Sequence, residues 1–101
     1  RLFRFIKDED PQIRKYVAER LPEVSLGLMA RDSCPEVRRM VAERMAKEDA
    51  VLLLQDEDWR VRYTVVQKVD AAHLKLLLND PEPDVRELAQ SRLQSSLKQE
   101  S

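Results

Sequence analysis

Apolar residues at Ile13, Val17 and Leu21 stand four apart, one stripe of an α-helix. The stripe returns after 24 residues as Val37, Val41 and Met45, again as Val61, Val65 and Val69, and a fourth time as Val85, Ala89 and Leu93. Between the stripes lie shorter apolar stretches, "PEVSLGLMAR", "KEDAVLLLQ" and "DAAHLKLLLN". A 24-residue unit has room for one helix of roughly 11–12 residues and a short return segment, a 3₁₀-helix or one to two α-turns. Leu74 and Leu77, three apart, fit the return segment, and Leu28, Leu52 and Leu76 close each unit. The pattern predicts a single all-α solenoid over 1–101, whose core runs on from repeat to repeat. Residues 1–7 read as the end of a preceding unit, 8–31, 32–55 and 56–79 as full repeats, and 80–101 as a half repeat with a polar C-terminal cap, "QSSLKQES".

Polar positions keep the same period. Asp8, Asp32, Asp56 and Asp80 form one column, and Arg14, Arg38, Arg62 and Arg86 another. A third stays basic: Arg20, Arg44, Lys68 and Arg92. Pro11, Pro35 and Pro83 suit the first helical position, where a missing N–H costs nothing, and Trp59 replaces proline in the third repeat. Asp10 and Asp58 precede that position as N-caps, Glu82 is a weaker version and Cys34 a poor one. Lys15–Glu19 and Arg39–Glu43 have the i, i+4 spacing of solvent-side ion pairs.

Composition narrows the function. Eighteen basic and 19 acidic residues nearly cancel, to a net charge of −1, so the bulk charge weighs against nucleic acid. No apolar run is long enough to span a bilayer, and the expected setting is cytoplasmic, without a membrane. The single cysteine excludes an internal disulfide and a multi-cysteine metal site within the chain. His73 stands alone, and Cys34 has no histidine or second cysteine near it in sequence to complete a nucleophilic site. Phosphate-loop, zinc-hydrolase and serine-hydrolase motifs are absent, so the chain reads as a non-enzyme.

Two polar groupings remain. The Asp/Arg columns (Asp8, Arg14, Asp32, Arg38, Asp56, Arg62, Asp80, Arg86) read as a structural ladder, since planar guanidinium suits bidentate contact with carboxylates. Trp59, Arg60 and Tyr63 form an aromatic–basic cluster on one helix edge, of the residue types enriched at binding hot spots, and are the candidate partner-binding residues. The alternative for Trp59 is that it covers a seam between repeats. The N-terminal "RLFRFI" exposes Leu2, Phe3, Phe5 and Ile6, which predicts self-association or further sequence over that end.

The stretch "LLNDPEPDVRELAQSRL" looks like the second helix of a HEAT repeat, but HEAT units run to roughly 40 residues. The 24-residue period with "DPxVRxxVAERLP" phrasing resembles the leucine-rich repeat variant (LRV) family across nearly the whole chain. That resemblance implies alternating α- and 3₁₀-helices stacked as a right-handed superhelix. Some members also carry a four-cysteine domain with a [4Fe–4S] cluster ahead of the repeats. This chain has one cysteine, so no cofactor is expected in it unless such sequence lies upstream. HEAT-like folds that bind DNA imply an alternative use of the Arg column. The leading expectation is a non-catalytic scaffold that binds a protein partner. The alternatives are the repeat portion of an iron–sulfur protein and a nucleic-acid binder.

Overall fold

The computed structural model describes residues 1–100, with side chains through Gln99; Ser101, the last residue of the expected cap, lies outside the described residues. The described chain is helical from end to end. A 3₁₀-helix, Leu2–Phe5, leads into α1, Pro11–Ala18, and a second 3₁₀-helix, Glu23–Met29. Next come α2, Pro35–Arg44, and the short α3, Lys47–Ala50, which tightens into a 3₁₀ turn at Val51–Leu53. Helix α4, Trp59–Val66, is followed by α5, Ala71–Leu74, and its own 3₁₀ turn at Lys75–Leu77. Helix α6, Pro83–Glu100, ends the series.

Local chemistry fixes where the long helices start. Prolines occupy the first positions of α1, α2 and α6. The Asp10 carboxylate accepts from the Gln12 N–H and that of Asp58 from the Arg60 N–H. Cys34 makes no side-chain cap to α2.

The helices α1, α2 and α4 hold eight to ten residues, shorter than the period allows. The last turns of α1 and α4 tighten, with the Arg20 N–H on the Val17 carbonyl and the Lys68 N–H on that of Val65, while α2 ends with the Met45 N–H on the Val41 carbonyl. The carbonyls freed there are taken by the basic column of the following repeat. Arg44 donates to the Ala18 carbonyl, Lys68 to those of Ala42, Glu43 and Met45, and Arg92 to those of Val66 and Val69. A cation on these carbonyls satisfies groups that a helix end leaves orphaned and opposes the negative end of its dipole. Arg20 instead lies over the Tyr16 ring, 3.5 Å from its centroid, and bonds the Tyr16 carbonyl.

The core is one aliphatic seam. Val17, Val41, Val65 and Ala89 are buried along its centre, and Leu26, Met29, Leu53, Leu74 and Leu77 close it from the return segments. Ala18, Ala42 and Val66 are fully buried between neighbouring repeats, while the matching Gln90 is exposed. Val37, Val61 and Val85 are 0% exposed, but Ile13, the same column in the first repeat, is 38% exposed. That column therefore packs towards the preceding repeat. Phe3, Phe5 and Tyr16 are exposed beside Ile13, whereas Leu2 and Ile6 are half-buried against the core.

Three local expectations are corrected. Lys15 lies 3.9 Å from Glu36 of the next repeat, and Glu19 pairs with Arg20, so Lys15–Glu19 is not a pair. Arg39–Glu43 does not form an ion pair among the described residues either: water screens such exposed charges, and little holds them together. The "QSSLKQE" part of the polar C-terminal tail continues α6, with no proline or glycine to stop it. The leucines Leu28, Leu52 and Leu76 all point outward, one position away from buried Met29, Leu53 and Leu77.

These last pairs give a direct test. Leu53 is 1% exposed and Leu52 56%. Leu53→Ala is expected to cost about 2–5 kcal/mol in urea unfolding and Leu52→Ala less than about 0.5 kcal/mol. Equal costs would contradict the assignment of the core.

Candidate functional site

The Asp and Arg columns meet between repeats. Arg14 reaches Asp32, Arg38 reaches Asp56 and Arg62 reaches Asp80, each 18 residues on. In all three, Nε donates to Oδ2 at 2.7–2.9 Å and Nη2 to Oδ1 at 3.0–3.2 Å. The remaining nitrogen, Nη1, turns back to the carbonyl of the aspartate in its own repeat: Asp8, Asp32, Asp56 and, from Arg86, Asp80. Each guanidinium thus ties the start of its own repeat to the start of the next.

The aspartates are held just as fully. Oδ1 of Asp8, Asp32, Asp56 and Asp80 accepts the N–H two residues on, from Asp10, Cys34, Asp58 and Glu82. A carboxylate in such a turn sits too close to the backbone for glutamate, with its extra methylene, to replace it. The Arg38 and Asp56 side chains are 7% and 6% exposed. Pairing raises the pKa of Arg14, Arg38 and Arg62, chiefly through the hydrogen bond to aspartate. Burial alone would raise the Asp80 carboxyl. The Arg62 hydrogen bond, the Glu82 N–H and the nearby arginine charges outweigh it and hold that carboxyl below the usual range.

Trp59, Arg60 and Tyr63 fall elsewhere on α4, the first two exposed and Tyr63 half-buried against the core. Trp59 is 36% exposed, and its ring meets Tyr63 edge-on, with centroids 6.3 Å apart and planes at 84°. Both line a groove of about 590 Å³ between α2 and α4, floored by Thr64 and edged by Asp84 at the start of α6. Arg60 is not a free cation: Nε and Nη2 lie 3.3 and 3.2 Å from the Asp58 carboxylate. That hydrogen bond, with the Arg60 N–H, holds the Asp58 carboxyl below the usual range against the effect of burial.

The groove also draws on Glu36, Arg39, Glu43 and Gln67, residues that sequence reasoning did not assign to a site. A signal for them exists. Gln12, Glu36, Arg60 and Asp84 share one column of the repeat, and Glu19, Glu43, Gln67 and Ser91 another, and neither column keeps its chemistry. Columns that pack or pair repeat their residue type, and columns that face solvent are free to change.

Cys34 is a free thiol, half-buried at the start of α2. His73 Nδ1 lies 2.6 Å from Asp70, which also caps α5. Among the described residues, no three His, Cys, Asp or Glu side chains gather as metal ligands, and no helix is long and apolar enough to cross a membrane.

No family model matches the chain, and no curated protein does. Among solved structures, one described as a leucine-rich repeat variant with a novel repetitive protein structural motif is similar, at 51% identity and a TM-score of 0.85. The match takes in 91% of this chain but 39% of that structure, so the chain spans well under half of its length.

The lowered Asp80 pKa sets a pH dependence. A carboxyl depressed in the folded state contributes stability that is present above its unfolded pKa, about 3.9, and lost as pH falls through the folded value. The denaturant midpoint is expected to hold down to about pH 4 and to fall below it. Asp80→Asn should start from lower stability at neutral pH and show a shallower acid fall. An acid limb unchanged in that variant would contradict the assignment.

Proposed function

Since this chain is an array of leucine-rich repeat variant repeats, we propose that it is a non-catalytic scaffold that binds a protein partner through its solenoid surface. The observation that carries this reading is the groove over α2 and α4. The chain's one tryptophan, 36% exposed, and the half-buried Tyr63 border it together. Tryptophan and tyrosine bring large contact area at low entropic cost, which is why they concentrate at hot spots. Repeat arrays suit such a role because stacking fixes a long surface whose individual side chains remain free to differ.

The Arg column is poorly suited to nucleic acid. Arg14, Arg38 and Arg62 already spend their donors on Asp32, Asp56 and Asp80 and on backbone carbonyls. A phosphate would have to displace a buried carboxylate from each. The iron–sulfur alternative concerns cysteines outside this chain, whose own count is one.

Proteins captured from lysate by the immobilised wild-type chain should be recovered at least about tenfold less with Trp59→Ala and with Tyr63→Ala, both keeping wild-type helicity. Unchanged recovery with both variants would remove the groove as the binding site.

A further inference from the structure

The groove carries its charge unevenly. Four carboxylates line it, from Glu36, Glu43, Asp58 and Asp84, against two guanidiniums, Arg39 and Arg60. Arg60 is already paired with Asp58. With Glu36 paired to Lys15 at 3.9 Å, the Glu43 and Asp84 carboxylates and the Arg39 guanidinium remain to face a ligand. The aromatic–basic cluster of the sequence is thus an aromatic–acidic wall in the folded chain.

Carboxylates and ring faces attract the same kind of group. A ring's π face is its negative side, and an ammonium or guanidinium lying on it gains further from nearby carboxylates. Trp59 and Tyr63 stand edge to face, their planes at 84°, so aromatic surface borders the acidic lining. An acidic peptide or a phosphate backbone meets net negative charge at this place and is disfavoured. The volume, about 590 Å³, lies within the roughly 300–1,000 Å³ usual for clefts that take small or extended ligands.

From this charge complementarity we infer that the groove binds a basic peptide segment of the partner. Its Lys or Arg side chain lies against Trp59 and Tyr63, and Glu43 and Asp84 neutralise the charge. The inference rests on the protein-binding reading above and adds the chemistry of the partner. Gln67, exposed on the same lining, offers a neutral polar contact to the peptide backbone.

The test uses the full chain and two short labelled peptides, one alternating alanine with lysine, the other its twin with glutamate for lysine. Trp59 is the sole tryptophan, so its emission reports on the groove directly. The lysine peptide should shift Trp59 emission and bind at least about tenfold more tightly than its twin, less so as salt rises. The double variant Glu43→Gln/Asp84→Asn should weaken anisotropy-detected binding by about tenfold, while Glu48→Gln, an exposed acid outside the groove, should not.

Equal loss in Glu48→Gln, or none in the double variant, overturns the inference, because binding would then follow bulk charge. Tighter binding of the glutamate twin, with loss in Trp59→Ala, overturns the chemistry but keeps the groove as a protein site. If neither peptide perturbs Trp59 while lysate capture still depends on Trp59 and Tyr63, the basic-segment inference fails and the scaffold reading stands.

Discussion

Everything in this fold hangs on where a guanidinium can find a carboxylate 18 residues further on. Arg14, Arg38 and Arg62 each solve that problem in the same way, gripping the next repeat's aspartate by two nitrogens and their own repeat's first carbonyl by the third. The aspartate is pinned in turn by the N–H two residues on. Neither side chain has freedom left, so the offset between repeats is set by bond geometry rather than by the shape of greasy surfaces. Buried ion pairs often add little net stability over apolar packing, but breaking one leaves a stranded charge. Their use here is registration: a repeat slid along its neighbour loses the whole ladder at once.

The second basic column works at the other end of the long helices. Arg44, Lys68 and Arg92 close the open carbonyl ends of the helices before them. For Lys68, burial lowers the amine pKa, while three backbone carbonyls favour the charged form. With both helix ends satisfied by neighbours, no described buried side-chain nitrogen or oxygen lacks a partner. Small residues at Ala18 and Ala42 let the repeats approach closely. The remaining face lies outside both basic columns. Trp59 and its acidic surroundings sit on that face, with Tyr63 half-buried beneath them against the core.

Much of this was legible in the residues. A stripe at i, i+4 and i+8, repeated after 24, is enough for a helical array, and proline after aspartate marks where α1 begins. Constant columns also disclosed the Asp/Arg ladder, although nothing in the spacing says that Arg38 bonds Asp56 rather than the nearer Asp32 carboxylate. The job of Arg44 and Lys68 was out of reach, because their acceptors are carbonyls, which no sequence column displays. Leu28 and Met29 are equally apolar on paper, and only the pitch of a 3₁₀ segment decides which turns inward. The sign of the Trp59–Arg60–Tyr63 cluster was hidden for a similar reason: Asp58 takes up the charge of Arg60, and Glu43 and Asp84 join the lining from neighbouring repeats.

The most direct test of this account is a double-mutant cycle on Arg38→Ala and Asp56→Ala, read by urea unfolding at neutral pH. If the ladder sets the stacking, each single change costs about 3–5 kcal/mol, and the pair costs well below their sum, with a coupling of at least about 1.5 kcal/mol. Costs that simply add, within about 0.5 kcal/mol, would mean that the repeats are held by their apolar seam and that the ladder decorates a register fixed elsewhere.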